Sequence, residues 1–273
     1  MTAVFLLDGC REVAPTTPVL RADDLGVLRG ESVFETLRVW AGRPAFLDSH
    51  LARLAASASR VDIALPEGWA DLAARASEGV PDGVLRLVCS KGAPGAGPVG
   101  FAVVTGVPAE AVRAREDGVR VVTLTLGVTA GERAGAPWLL GGVKSTSYAA
   151  NMATIRHAQA EGADDAVWVS ADGEVLEAPT ATVAVVEGDT LVSPPDEVGI
   201  LPGTTLQAVE ALGLVPAVRR RVTVEELRAA DEVLLMSSVR GVAPVVAVDG
   251  AARPVGPVAA LLRDAYEAAV RGE

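Results

Sequence analysis

Histidine, cysteine and aromatic residues are scarce in this chain: of 273 residues, two are His, two are Cys and 4% are Phe, Trp or Tyr. His50 and His157 fall in separate helix-like segments without metal-ligand spacing, which argues against a His-rich metal centre. His50 reads as a packing or capping residue and His157 as a surface one. Cys10 and Cys89 form no CxxC, so they read as buried thiols of a reducing compartment rather than a disulfide framework. Positive charge is also short. The 24 Lys and Arg face 35 Asp and Glu, a net charge of −11, the opposite of what nucleic acid or an anionic lipid surface attracts. No run of about 18 apolar residues occurs, so no membrane-spanning helix is expected. The opening MTAVFLLDG lacks a basic segment and is broken by Asp8, so it does not read as a signal peptide. These absences together lead us to expect a cytoplasmic, globular protein.

Half of the residues are hydrophobic, enough for a sizeable core, and the length suits about two domains or one large one. Alternation over SVFETLRV places Val33, Glu35, Leu37 and Val39 on one strand face, and Ala41-Gly42 with Arg43-Pro44 marks a hairpin-like turn. Asp48 is an expected N-cap for a helix to about Arg60, with Leu47, Leu51, Leu54 and Ala58 as its apolar stripe. Leu25–Gly30 reads as a loop. Strands are expected at Val84–Ser90, Phe101–Gly106 and Val119–Leu126, followed by a loop holding Gly131, Gly135 and Pro137. The segment Tyr148–Glu161 reads as a helix capped by Ser147 and stopped by Gly162. DAVWVS-ADG-EVLEA reads as a hairpin whose Asp172-Gly173 suits a type I′ turn. Thr204–Leu212 is an expected helix, Thr223-x-x-Glu226 a capping box, and PVAALLRDAYEAAV a C-terminal helix. The charged, weakly periodic stretch Pro108–Gly118 is where the boundary is expected: an N-terminal α/β domain over 1–114, a linker at 115–118 and a C-terminal domain over 119–273. The mixture favours an α/β or α+β fold.

Three stretches carry candidate chemistry. Lys144 follows a Gly-Gly-Val turn and precedes a helix. A lysine that bonds an aldehyde needs an apolar enclosure that lowers its pKa, although most lysines are simply solvated. Glu177 ends the EVLE arm. A carboxylate there suits a pyridinium nitrogen, and a surface acid at a strand end is as good a reading of it alone. GILPGTT, Gly199–Thr205, puts two glycines and two threonines before a helix, a place for a phosphate or for a plain cap. Ser237-Ser238 after EVLLM adds hydroxyls. Taken together, a lysine, an acid and a phosphate turn suggest a pocket for pyridoxal 5′-phosphate.

The order GESVFETLRV, HLARL, KSTSYAANM, GADDAV, DGEVLE, GILPGTT, ADEVLLMSSVRGVAPV resembles the fold-type IV pyridoxal-phosphate enzymes, the class IV aminotransferases, over nearly the whole chain. The resemblance implies a small N-terminal and a larger C-terminal domain with the cofactor in the cleft between them, usually as a homodimer. It makes Lys144 the lysine that bonds the cofactor and Glu177 the partner of its ring nitrogen. Arg53, Thr204, Thr205 and Ser238 match phosphate-binding positions, Leu201 the residue packed on the ring, and Tyr148 a residue beside the lysine. The stretches SSVRGVAPV and KSTSYAANM are most similar to aminodeoxychorismate lyases, which convert 4-amino-4-deoxychorismate to 4-aminobenzoate and pyruvate on the way to folate. A branched-chain or related aminotransferase is the alternative. The chain departs from relatives in carrying Lys91 where an arginine-bearing motif for substrate carboxylates is frequent, and Leu206 where arginine often follows the threonines. Arg29, Arg38, Lys91 and Arg240 are therefore the candidate carboxylate binders. No metal is expected.

Overall fold

In the computed structural model, which describes residues 2–273, the chain divides into two units. The first runs to Pro108 and takes in Val143–Tyr148 and Val270–Glu273; the second holds Ala109–Gly142 and Ala149–Ala269.

The first unit contains β1 (Ala3–Leu6), β2 (Arg11–Val13), α1 (Leu25–Arg29), β3 (Ser32–Trp40), β4 (Arg43–Pro44), α2 (Leu47–Arg60), α3 (Trp69–Ser77), β5 (Asp82–Ser90) and β6 (Val99–Thr105). Its strands form one antiparallel sheet in the order β2-β1-β6-β5-β3-β4. Val33, Leu37 and Val39 of β3 pack with Leu54 and Ala58 of α2 and Leu72, Ala73 and Ala76 of α3 in one apolar core. The Ala41-Gly42 turn has φ of 47° and 77°, which gives the twist that a two-residue hairpin needs.

Leu25–Arg29 is a short helix where a loop was expected. The Asp24 carboxylate accepts from the Gly26 N–H, and Gly30, at φ 72°, ends the helix. Five residues are too few for a 3.6-residue period to show in the sequence. Asp48 is not the cap of α2: the helix starts one residue earlier, after Phe46 at φ 52°, and Asp48 lies in its first turn, where a carboxylate still meets the positive end of the helix dipole.

One charged residue interrupts the apolar face of β3. Glu35, fully buried, sits between Val33 and Leu37 in the alternation. Its carboxylate accepts from Arg53 Nε at 2.7 Å and Nη2 at 2.8 Å, and pairs with His50 Nδ1 at 2.6 Å. Burial pushes the Glu35 carboxyl up, but hydrogen bonds from Arg53 and His50 outweigh it and hold the carboxyl at about 2. The buried positions of α2 are accordingly His50, Leu54, Ser57 and Ala58. The helix is rotated toward its polar edge relative to the Leu47–Leu51–Leu54–Ala58 stripe.

The second unit contains α4 (Ala109–Asp117), β7 (Val119–Thr125), α5 (Ala130–Gly135), α6 (Ala149–Ala160), β8 (Asp165–Val169), β9 (Thr182–Glu187), β10 (Thr190–Ser193), α7 (Thr204–Leu212), β11 (Ala217–Arg219), α8 (Val224–Ala229), β12 (Glu232–Ser237), β13 (Gly241–Val248), β14 (Ala251–Ala252) and most of α9 (Pro257–Arg271). The sheet runs β11-β10-β9-β12-β13-β7-β8, with β14 on β13. Its β13–β7, β7–β8 and β10–β11 pairs are parallel and the others antiparallel. All five residues of β8 are buried, as are the first five of β9 and of β12. This is why those stretches read as continuous apolar runs rather than as alternation.

The stretch 115–118, expected as a linker, is occupied by the last turn of α4 and Gly118. Arg115 there is mostly buried and paired with Glu267. The glycine-containing stretch after β7 folds as α5, closed by a reciprocal capping box between Thr129 and Glu132. The DAVWVS-ADG-EVLEA turn is not type I′. Only Gly173 has positive φ, 83°, and Ser170 N–H donates to Glu174 O, so three residues close the loop. The helix after Lys144 begins at Ala149, and Ser147 donates its hydroxyl to Gly30 O instead of capping it.

Two outcomes test this packing. Leu85, fully buried and opposite Leu37 across β5 and β3, is expected on Leu85→Ala to lower unfolding stability by about 2–5 kcal/mol in urea titration. Glu35 binds its proton near 4.5 when unfolded and near 2 when folded. Its contribution, on the order of 3 kcal/mol, is therefore complete above about pH 4.5 and lost as pH falls toward about 2. Urea midpoints measured across that window should fall less steeply in Glu35→Gln than in the parent.

Candidate active site

In the first unit, the segment that carries Lys144 is zipped onto β3. Phe34 N–H donates to Lys144 O at 3.0 Å and Thr146 N–H to Ser32 O at 2.9 Å. Val33 and Ser145 make an antiparallel bridge, and the Ser32 and Thr146 hydroxyls meet at 2.7 Å. Lys144 N–H donates to Ser57 Oγ of α2 at 3.1 Å. Both backbone groups of Lys144 are thereby fixed, one by a strand and one by a helix. Ser57 lies one turn beyond Arg53, so α2 sets the positions of both residues. The Lys144 amine lies 4.6 Å from the centroid of the Phe34 ring. The Tyr148 ring meets Phe34 edge-on, at 5.2 Å and 82°, so one aromatic ring contacts both residues. A Cβ at Gly30 would meet the Ser147 hydroxyl, and its φ of 72° is a conformation that other residues rarely adopt.

In the second unit, Glu177 follows the three-residue turn and is 13% exposed. One carboxylate oxygen accepts from Arg133 Nη2 at 2.9 Å, the other from Leu201 N–H at 3.1 Å. Arg133 Nε donates to Gly199 O at 2.8 Å. A single guanidinium thus ties α5, the acid and the GILPGTT turn together. Arg133 is a residue that the sequence reading missed; the Thr129-x-x-Glu132 box would have flagged a helix there. Thr204 and Thr205 occupy the first turn of α7 and are buried. The N-cap, Gly203, brings no side-chain oxygen, and a Cβ on it would run into Thr182. Thr205 Oγ1 lies 3.4 Å from the Tyr266 hydroxyl. Leu201 is half-buried, as is Ser238 in the turn between β12 and β13.

The first unit offers an amine on an aromatic face, a group of the kind that bonds an aldehyde. The second offers a carboxylate oriented by two donors, of the kind that suits a basic ring nitrogen, and a helix N-terminus bearing hydroxyls without a side-chain cap, of the kind that suits a phosphate. Among the described residues no group of three or more His, Cys, Asp and Glu is placed to hold a metal ion.

Three of the four basic candidates are held by acids. Arg38 is buried and bidentate on Asp82 at 2.6 and 2.8 Å. Lys91 pairs with Glu31 at 2.7 Å, and Arg240 with buried Asp165 at 2.8 Å. Arg29 is exposed at the end of α1. His157 is exposed on α6, whereas His50 belongs to the Glu35 cluster rather than to plain helix packing.

A model of the amino-transferase class IV family matches residues 32–248. A bifunctional aminodeoxychorismate lyase / D-amino acid transaminase of Mycobacterium tuberculosis is 37% identical over 98% of both chains. A chloroplastic D-amino-acid transaminase of Arabidopsis thaliana is 32% identical over 92% of this chain and 71% of its own. A hypothetical aminotransferase from Mycobacterium tuberculosis, solved in a PLP-bound form, superposes with a TM-score of 0.94 at 36% identity, covering 100% of this chain and 99% of that one. With the family matched across both units and relatives alike from end to end, the chain belongs to the class IV aminotransferases and is a pyridoxal-phosphate-dependent enzyme.

Proposed function

We propose that the enzyme is an aminodeoxychorismate lyase, converting 4-amino-4-deoxychorismate to 4-aminobenzoate and pyruvate as a step of folate biosynthesis. The supporting observation is end-to-end similarity, at 37% identity, to a relative named for that lyase activity. The relative's name also carries a transaminase activity, so amino transfer to a 2-oxo acid is the second reading.

Bound pyridoxal phosphate supplies an electron sink to the carbon that bears the substrate's amino group. Lys144 would hold the cofactor, and its Nζ would take the proton from that carbon. The Phe34 ring beside the amine keeps water from one side of it. Loss of that proton lets the neighbouring C–O bond break, the ring become aromatic and the enolpyruvyl group leave. Lys144 can then return the proton, so that the departing group becomes pyruvate. Glu177, kept in place by Arg133 and the Leu201 amide, holds the ring nitrogen in its protonated form. Arg53, Thr204, Thr205 and Ser238 bind the phosphate, Leu201 packs on the ring, and Tyr148 flanks the lysine. Arg29 is the base we assign to the substrate's carboxylates, because Arg38, Lys91 and Arg240 are engaged by acids and Gly30, next to it, is bonded to the Lys144 segment. The same reading makes the enzyme a cytoplasmic homodimer. Among the described residues no helix is long and apolar enough to cross a membrane.

Purified enzyme should show a near-visible absorption band that borohydride bleaches and that is missing in Lys144→Ala. It should release pyruvate and 4-aminobenzoate in equal amounts from 4-amino-4-deoxychorismate. Amination of a 2-oxo acid without any release of 4-aminobenzoate would replace the lyase reading by the transaminase one. Arg29→Ala is expected to raise KM for the dicarboxylic substrate about tenfold or more while leaving the absorption band in place.

A further inference from the structure

The Glu35 cluster has a feature that packing alone does not require. A carboxylate on the apolar face of a strand costs several kcal/mol unless well-aligned donors surround it, and an apolar residue of similar size would do the packing as well. Val33 and Leu37 flank Glu35 with side chains of that kind. What the glutamate adds is a grip on Arg53. Its two oxygens take Nε and Nη2 of the guanidinium at 2.7 and 2.8 Å, a side-on bidentate pair. A guanidinium is rigid and planar, so holding one edge fixes the direction of its remaining donors.

His50 completes the grip. It is buried, and burial lowers its pKa; Glu35 opposes that effect, while the Arg53 and Lys144 charges add to it. The imidazole is therefore neutral and carries one N–H. An ionised carboxylate only accepts hydrogen bonds, so that N–H is on Nδ1, donating to Glu35 Oε2 at 2.6 Å. Three donors from one face of α2 thus converge on one carboxylate of β3. The Glu35–Arg53 pair is neutral overall, which lets the arginine stay in place in the protein without its cofactor.

We propose that Glu35, braced by His50, is a positioning residue that pre-sets Arg53 for the phosphate of the cofactor, so that discrimination in favour of the phosphorylated vitamin is built into the first unit before the cofactor arrives. The inference rests on the reading that Arg53 binds the phosphate, and it concerns affinity for the phosphate group rather than the chemical step. Pre-orientation removes the ordering cost that a mobile arginine would bring to the encounter. It acts against electrostatics, since the negative charge of Glu35 by itself opposes a phosphate. The two effects give opposite signs on removing the charge, and this makes the inference testable.

The measurement is the affinity of the full-length, cofactor-stripped protein for pyridoxal 5′-phosphate and for pyridoxal, by fluorescence titration, with circular dichroism to confirm folding. In Glu35→Gln the phosphorylated ligand should bind about tenfold more weakly or worse, and pyridoxal within about twofold of the parent. Arg53→Ala should abolish the discrimination, and adding Glu35→Gln to it should cause no further loss. If Arg53→Ala loses the discrimination while Glu35→Gln keeps or improves it, the positioning role is overturned and the phosphate role of Arg53 stands. If Arg53→Ala keeps the discrimination, the phosphate reading itself falls. Should Glu35→Gln fail to fold, Glu35→Asp retains the charge but draws it back from the guanidinium. Reduced discrimination in that variant supports the proposal, and parental discrimination overturns it.

Discussion

A fully buried carboxylate has to be held by its neighbours, and the first unit is arranged around holding Glu35. The strand that bears it, the helix that covers it and the rotation of that helix are linked by one cluster. For His50 and Arg53 to reach the carboxylate, α2 must turn its polar edge inward, which buries Ser57 one turn later. Ser57 then accepts the backbone N–H of Lys144. Removing either charged partner would strand the other in an apolar layer, at a cost of about 3–5 kcal/mol. One ion pair therefore fixes how α2 packs on β3, and the Lys144 segment takes its register from its own backbone bonds to β3.

The second unit treats a carboxylate differently. Glu177 is not sunk into a hydrophobic layer but stands at the end of a turn, with one guanidinium and one backbone amide on it. Arg133 reaches it from α5 while also gripping the Gly199 carbonyl, so the acid and the turn that leads into α7 share a single brace. Its two hydrogen-bond partners fix the direction of the carboxylate, while its partial exposure keeps it from being sealed off.

Much of the fold was legible because local rules coincide with tertiary demands. The Ala41-Gly42 turn, the Thr223–Glu226 capping box, the α7 span and strand β8 all follow from patterns of four to nine residues. The misses have physical causes. Helix α1 is a single turn closed by Asp24 and Gly30, too short for periodicity. Helix α5 carries two glycines and so reads as a loop, which hides Arg133. In α2 the stripe of leucines drew attention away from His50 and Ser57, because polar side chains that are buried by pairing look like surface in a hydrophobicity pattern. Of the proposed site residues, Lys144, Glu177 and the threonines are weak signals one by one, and it is their combination and the family resemblance that give them roles. The pairing of Arg38, Lys91 and Arg240 with acids is not legible in the sequence, since their partners Asp82, Glu31 and Asp165 lie 44, 60 and 75 positions away.

The short stretch Val143–Tyr148 belongs to the first unit although the chain on both sides of it belongs to the second, and the last four residues return to the first unit as well. The polypeptide thus passes from one unit to the other at 108/109, 142/143, 148/149 and 269/270. No single cut yields two self-sufficient fragments. A piece ending at Pro108 would leave β3 without the segment bridged to it, and the remainder would carry its lysine away from the ring and the helix that hold it. Splitting the chain at 108/109 would leave the first unit without Val143–Tyr148 and Val270–Glu273.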